Sequence, residues 1–148
     1  MTGNPSPSVL YILVCGAEQA AGALGGDFNY YWTSFGPTNV QLHRAAAAVE
    51  LGEGKLAVDT HHQIDQQGFG AMVPERRAHH FLDIARGYAQ IGNVEGASDM
   101  LLEGDRLAPS EIRCRPIARE VLSDVLRRSR GTPPPSIAEL AEHMGVGA

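Results

Sequence analysis

A chain of 148 residues with 43% hydrophobic and 20% charged side chains is built for one folded domain or a short repeat array, and that balance excludes wholesale disorder. A net charge of −5 disfavours a surface given over to phosphate backbones, so no direct nucleic-acid binding is expected. The longest apolar run, Val9 to Cys15, is far too short to cross a bilayer, and Met1 to Pro7 lacks the positive residues of a secretory signal. Cys15 and Cys114 have no metal-type spacing and read as free thiols of a reduced, cytoplasmic protein.

Residues 1–6 read as a disordered start. Ser6-Pro7 opens a helix, because proline is tolerated in the first turn where its missing N–H is not needed. That helix is apolar nearly all round in its first half and stops at Gly25-Gly26. The segment Asp27 to Pro37 holds Phe28, Tyr30, Tyr31, Trp32 and Phe35, and must pack down or form a binding surface. Thr38 with Gln41 predicts a capping box opening a helix over Asn39 to Leu51, whose apolar residues include Val40, Leu42, Val49 and Leu51. Gly52 supplies its left-handed cap.

A second helix is expected from Gly54 to Asp65, followed by a loop from Gln66 to Val73. Pro74 starts a longer helix that ends at Gly92, and Val94 to Leu107 is its partner, with Pro109 closing the unit. Ser110 to Arg115 reads as a turn, and Pro116 starts a helix to about Arg128. Gly131 to Pro135 is a breaker. A last short helix is then expected, capped by Ser136 with Glu139 and ended by Gly145. No stretch alternates β-branched residues with period two, so the fold class is all-α. The helical domain is expected to span residues 7–130, with 131–148 as linker plus capping helix.

The chain repeats itself. Leu51-Gly52 through Leu56-Ala57 overlays Ile91-Gly92 through Gly96-Ala97 at an offset of 40 residues, which also brings Leu42 onto Leu82 and Ala45 onto Ala85. Ala85, Tyr88, Gly92, Ala97 and Pro109 follow the pattern of a tetratricopeptide hairpin. Such a unit has a period of about 34 residues, the excess being assigned to an insertion at Gln66 to Val73. The expected architecture is therefore a short α-solenoid of tetratricopeptide-like antiparallel hairpins; an unrelated helical bundle with glycine caps is the competing reading.

The run Tyr31-Trp32-Thr33-Ser34-Phe35-Gly36-Pro37-Thr38-Asn39-Val40, then His43 and Val49-Glu50-Leu51-Gly52, resembles actinobacterial transcriptional regulators that join an N-terminal helix-turn-helix to a tetratricopeptide-like region. So do Glu75-Arg76-Arg77, Phe81-Leu82-Asp83, Ala85-Arg86, Tyr88 and Gly92, and later Ala108-Pro109-Ser110-Glu111-Ile112-Arg113, Pro116 and Val125-Leu126-Arg127-Arg128. The resemblance covers about residues 27–130. It implies the sensing or interaction half of such a regulator. The helix-turn-helix itself has no counterpart here, so the likeness does not extend to DNA binding.

In a helical array the first helix of each hairpin lines the concave face. The overlay pairs Asn39 with His79, His43 with Asp83 and Ala46 with Arg86. Asn39, His43, His79, Asp83 and Arg86 are thus expected on one face, with Tyr31, Trp32 and Phe35 at its end, where they would hold a peptide, small molecule or protein partner. The competing account makes the aromatics inter-repeat packing and the polar groups a solvated face. Glu75, His79 and Asp83 recur at helical spacing, but a helix-surface salt-bridge ladder explains them better than zinc, and neither metal nor cofactor is expected. Glu111 to Arg130 carries six arginines and reads as a solvated capping helix.

No phosphate loop or nucleophile elbow is present, so no catalysis is expected. The expected function is a non-catalytic ligand- or peptide-sensing or protein-docking module of a bacterial transcriptional regulator. The alternative is a small helical enzyme or accessory protein of a biosynthetic pathway, with an aromatic-walled pocket and His43 or His79 as general base. A homodimer closing the apolar end of the array is a further expectation.

Overall fold

The computed structural model describes residues 36–147, and these form helices joined by short turns, with no strand among them. The N-terminal helix, the aromatic segment with Tyr31, Trp32 and Phe35, and Cys15 lie outside the described residues. No helix among the described residues is long and apolar enough to cross a membrane.

Helix α1, Pro37–Glu50, begins earlier than the sequence suggests. Pro37 sits in its first turn and Gly36 is the N-cap, with no side-chain hydrogen bond, so the Thr38–Gln41 capping box is not formed. Proline fixes a helical φ and needs no N–H partner; it pulls the start forward and leaves Thr38 inside the helix, past the only place from which it could cap. Leu42, Ala45, Ala48 and Val49 are buried. Val40 and Leu51, read as apolar-face residues, are instead 55% and 76% exposed.

Helix α2, Gly54–His62, is shorter than expected because Asp65 belongs to the next element. The Asp65 carboxylate accepts from the Gly68 amide at 2.8 Å and caps α3, Gln66–Gly70, within the predicted loop. Phe69 gives that segment its reason to fold, since its ring is buried against Leu42 and Ile64.

The long pair follows: α4, Pro74–Gln90, and α5, Val94–Leu107. Then come α6, Pro109–Arg113, where a turn was predicted, α7, Pro116–Arg128, and α8, Pro135–Met144. Pro109 starts α6 rather than merely ending α5, and the wholly buried Ile112 anchors the short helix. In α8 the proline effect recurs: Pro134 is the N-cap, Pro135 occupies the first turn, and the Ser136–Glu139 capping box is absent. Gly145 ends that helix in the left-handed region, at φ 65°.

The α1–α2 and α4–α5 turns are built alike. Gly52 and Gly92 both take φ 78°. Around Gly52 the amides of Leu51, Gly52 and Glu53 donate to the carbonyls of Ala47, Val49 and Ala48; around Gly92 those of Ile91, Gly92 and Asn93 donate to Gly87, Ala89 and Tyr88, the same bonds displaced by 40 residues. Asn93 adds a cap, its side chain accepting from the Gly96 amide at 2.8 Å. Asn93→Ala is expected to cost about 1 kcal/mol, read as a lower urea midpoint at unchanged slope.

Three apolar clusters fill the interior. Leu82, Leu101, Ile112, Leu122, Val125, Ile137 and Leu140 join α4 to α8 in the main core. Ala45, Ala48, Val49, Ala57, Val58 and Ile84 seat the α1–α2 hairpin on α4. Leu42, Ile64 and Phe69, with Met72 and Phe81 against them, hold α3.

Candidate functional site

The polar residues of α1 and α4 meet where these helices pack side by side. Near the start of both, Arg76 donates to the Asn39 side-chain oxygen and lies 3.4 Å from His43 Nε2. Asn39 itself is only 5% exposed, so it forms part of the floor rather than an open contact. Among the described residues Arg76 has no ion-pair partner, and its Nε is buried without a hydrogen bond. Nearly three turns further along α4, Arg86 bridges the helices, 2.7 Å from Glu50 on α1 and 3.7 Å from Asp83.

Between these ends lies His79. Burial, and after it the Arg115 guanidinium, hold its pKa down to about 4; Arg76 and Arg86 act in the same sense and Glu111 against them. All three arginines thus act on His79 from around it. Arg115 is itself buried and paired with Glu111. Asp83 moves the other way: burial raises its carboxyl to about 6, with Glu50 adding to the rise while Arg86 and Arg115 oppose it. Burial and the Arg76 charge lower the pKa of His43.

Five of the predicted residues, Asn39, His43, His79, Asp83 and Arg86, therefore share one face, while Tyr31, Trp32 and Phe35 lie outside the described residues. The overlay placed Asn39 opposite His79, yet Arg76, one turn earlier, is what joins Asn39 and His43. Arg76 stands three residues before His79 on the same helix face, and that periodicity was available in the sequence. Glu50 and the Glu111–Arg115 pair carried no signal of meeting α4, because they come from two segments far from it in sequence.

Two further expectations are corrected. The Glu75–His79–Asp83 ladder is not formed: Glu75 is exposed and makes no ion pair among the described residues, whereas Asp83 turns to Arg86. The arginine-rich C-terminal part is solvated only in part: Arg119, Arg127, Arg128 and Arg130 are exposed, but the two arginines that precede α7 are engaged. Arg115 is buried, Arg113 makes two bonds of 2.8 and 3.0 Å to Asp105, and Arg127 and Arg128 both pair with Asp124.

The face is suited to hydrogen-bonded recognition. It offers guanidinium donors, a buried amide and imidazoles held neutral, beside carboxylates already engaged. A histidine with a pKa near 4 is a weak base at neutral pH, which argues against His79 in general-base chemistry. No group of three or more His, Cys, Asp or Glu among the described residues is arranged to hold a metal ion.

Compared with known proteins, the chain matches no family model, no curated protein and no solved structure. The functional reading rests on this geometry and on the sequence resemblance.

A cleft of about 960 Å³ lies elsewhere, lined by Asn93, Glu95, Asp99, Arg128, Arg130 and Pro133, and none of the five described site residues lines it. Asn93 is already committed there as a helix cap.

Proposed function

We propose that the α1–α2 and α4–α5 pairs are two units of a tetratricopeptide-like array, and that the α1–α4 face docks a peptide or protein partner as the sensing half of a bacterial transcriptional regulator. The repeated turn at a 40-residue offset supports the array. The resemblance to actinobacterial regulators supports the setting. The observation that carries the docking role is Arg76, a half-buried guanidinium bonded only to the neutral Asn39 and His43 among the described residues. A cation so placed has donors to spare, and a partner's carboxylate or backbone carbonyls satisfy them without moving a helix. Binding by a preformed face then shifts helix packing only through the difference in affinity between two arrangements.

The test is a fluorescence-polarisation screen of peptide libraries, each peptide with a free or an amidated C-terminus, against the full chain. For a selected binder, Arg76→Ala is expected to weaken affinity about 10- to 100-fold, the equivalent of about 1.5–3 kcal/mol for hydrogen bonds to a charged group. The variant also leaves the buried Asn39 oxygen without its donor, at about 1–3 kcal/mol of stability, so affinity is measured well below the melting temperature. Binding that survives both Arg76→Ala and Arg86→Ala undiminished would place the docking surface elsewhere.

A further inference from the structure

Outside the α1–α4 face, the α2–α4 junction contains a pair of histidines with no structural redundancy. His61 Nδ1 on α2 lies 3.0 Å from His80 Nε2 on α4. His80 is 3% exposed, and its other ring nitrogen, Nδ1, is buried with no hydrogen-bond partner. Aromatic rings enclose the pair: Phe69 stands edge-on to His80 at 5.3 Å between centroids, and Phe81 edge-on to His61 at 6.1 Å.

We propose that the His61–His80 pair is a pH-sensitive latch that holds the first hairpin against α4 while both imidazoles are neutral and releases it when they take up protons.

The proton count carries the argument. Two neutral imidazoles share one N–H across the contact. The inexpensive arrangement has His80 Nε2–H donating to His61 Nδ1, which leaves His80 Nδ1 as a bare lone pair in apolar surroundings. One added proton on His61 fills its Nδ1 and turns it into the donor. His80 must then carry its own hydrogen on Nδ1, an N–H with no acceptor, and an unsatisfied buried donor costs its full desolvation. A second proton sets N–H against N–H and abolishes the bond.

Among the described residues, no neighbouring group is placed to soften this. On α2 the nearby charges are His62, which leans on Tyr88 Oη at 3.3 Å, and Asp59, committed to Lys55. On α4 they are His79 and Arg77, whose guanidinium lies over the Phe69 ring. On α3 the Asp65 carboxylate caps the Gly68 amide, and His43 of α1 is engaged by Arg76 of α4. Burial first, and then the neighbouring imidazoles, hold the pKa of His80 down to about 3, and burial and His62 lower that of His61.

An open junction restores the ordinary value, so acid favours the open form. The latch is fully closed above the open-state pKa and loosens as pH falls below it. For His80 alone, the open-to-closed ratio should rise about 15-fold between about pH 6.5 and about pH 5.

Amide hydrogen exchange on the full chain tests this locally, which matters because His79 and Asp83 titrate on the α6 side of α4. Protection factors, corrected for intrinsic exchange, are compared near pH 7 and near pH 5. Amides of α2 should lose about 30-fold more protection than those of α7, and His80→Leu should erase the difference. Equal losses in both helices, or an unchanged difference in His80→Leu, would overturn the latch. Imidazole nitrogen NMR on the unmutated chain gives an answer even where that variant fails to fold. His80 should show a protonated Nε2 and no titration above about pH 5; titration of His80 near its ordinary value of about 6.5 would end the proposal.

Discussion

Replacing Leu101 by alanine should destabilise the protein by about 3 kcal/mol, because the side chain is wholly buried in the core that joins α4, α5, α6, α7 and α8. The loss has two parts: the transfer energy of the removed carbons, and the contacts forfeited by a cavity that helices held on several sides cannot close. With total stabilities of about 5–15 kcal/mol, that is a large share, and the melting temperature should fall by about 10 °C. Leu51→Ala is the control. Leu51 is 76% exposed at a turn, and its truncation should stay within about 0.5 kcal/mol. Calorimetry on both variants decides the point; similar small losses would mean that the main core is not packed about Leu101.

Gly54→Ala is the second large effect, and its sign opposes helix propensity. Alanine is ordinarily better than glycine inside a helix by about 1 kcal/mol. At Gly54, however, an added Cβ would stand 2.4 Å from the Gly87 carbonyl oxygen and 2.8 Å from Gln90 Cβ. The obstacle is backbone, so α2 must back away from α4; Gly87 on the other side is less crowded but still tight, with Ala57 Cβ 3.3 Å from where its own Cβ would be. A loss of about 2–3 kcal/mol is expected, the range for overpacked cores. Gly70→Ala, where nothing lies within 4 Å, should be neutral. Chemical denaturation distinguishes the two. A stabilised Gly54→Ala would show that α2 and α4 are not held in backbone contact at Gly54 and Gly87.

Much of the fold was legible because its punctuation is local. Gly52, Gly92, Gly131 and Gly145 all take positive φ, and prolines stand in the first turns of α1, α4, α6, α7 and α8. Both effects act within one or two residues and are written directly in the chain. The capping boxes at Thr38 and Ser136 misled because the same local logic had a stronger claimant next door: each cap residue directly follows a proline that had already begun the helix. The short helices α3 and α6 were hidden for another reason. Neither has enough turns to show periodicity, and each forms because one side chain, Phe69 or Ile112, finds a place in a core made by distant segments.

The sequence by itself determined the all-α class, the hairpin turns 40 residues apart, and which helices would carry the polar residues, since each of these follows from neighbours along the chain. Tertiary structure decided which polar groups meet. Arg76 joins Asn39 and His43 across 37 and 33 residues, Arg86 reaches Glu50 across 36, and His61 faces His80 across 19. It also decided where glycine is indispensable. Gly54 faces Gly87, but the repeat places Val94 at the position equivalent to Gly54, so the closest approach of backbones belongs to one junction only. Such pairings depend on how far one helix slides and turns against another, and that is set by the summed packing of the three apolar clusters rather than by any local signal.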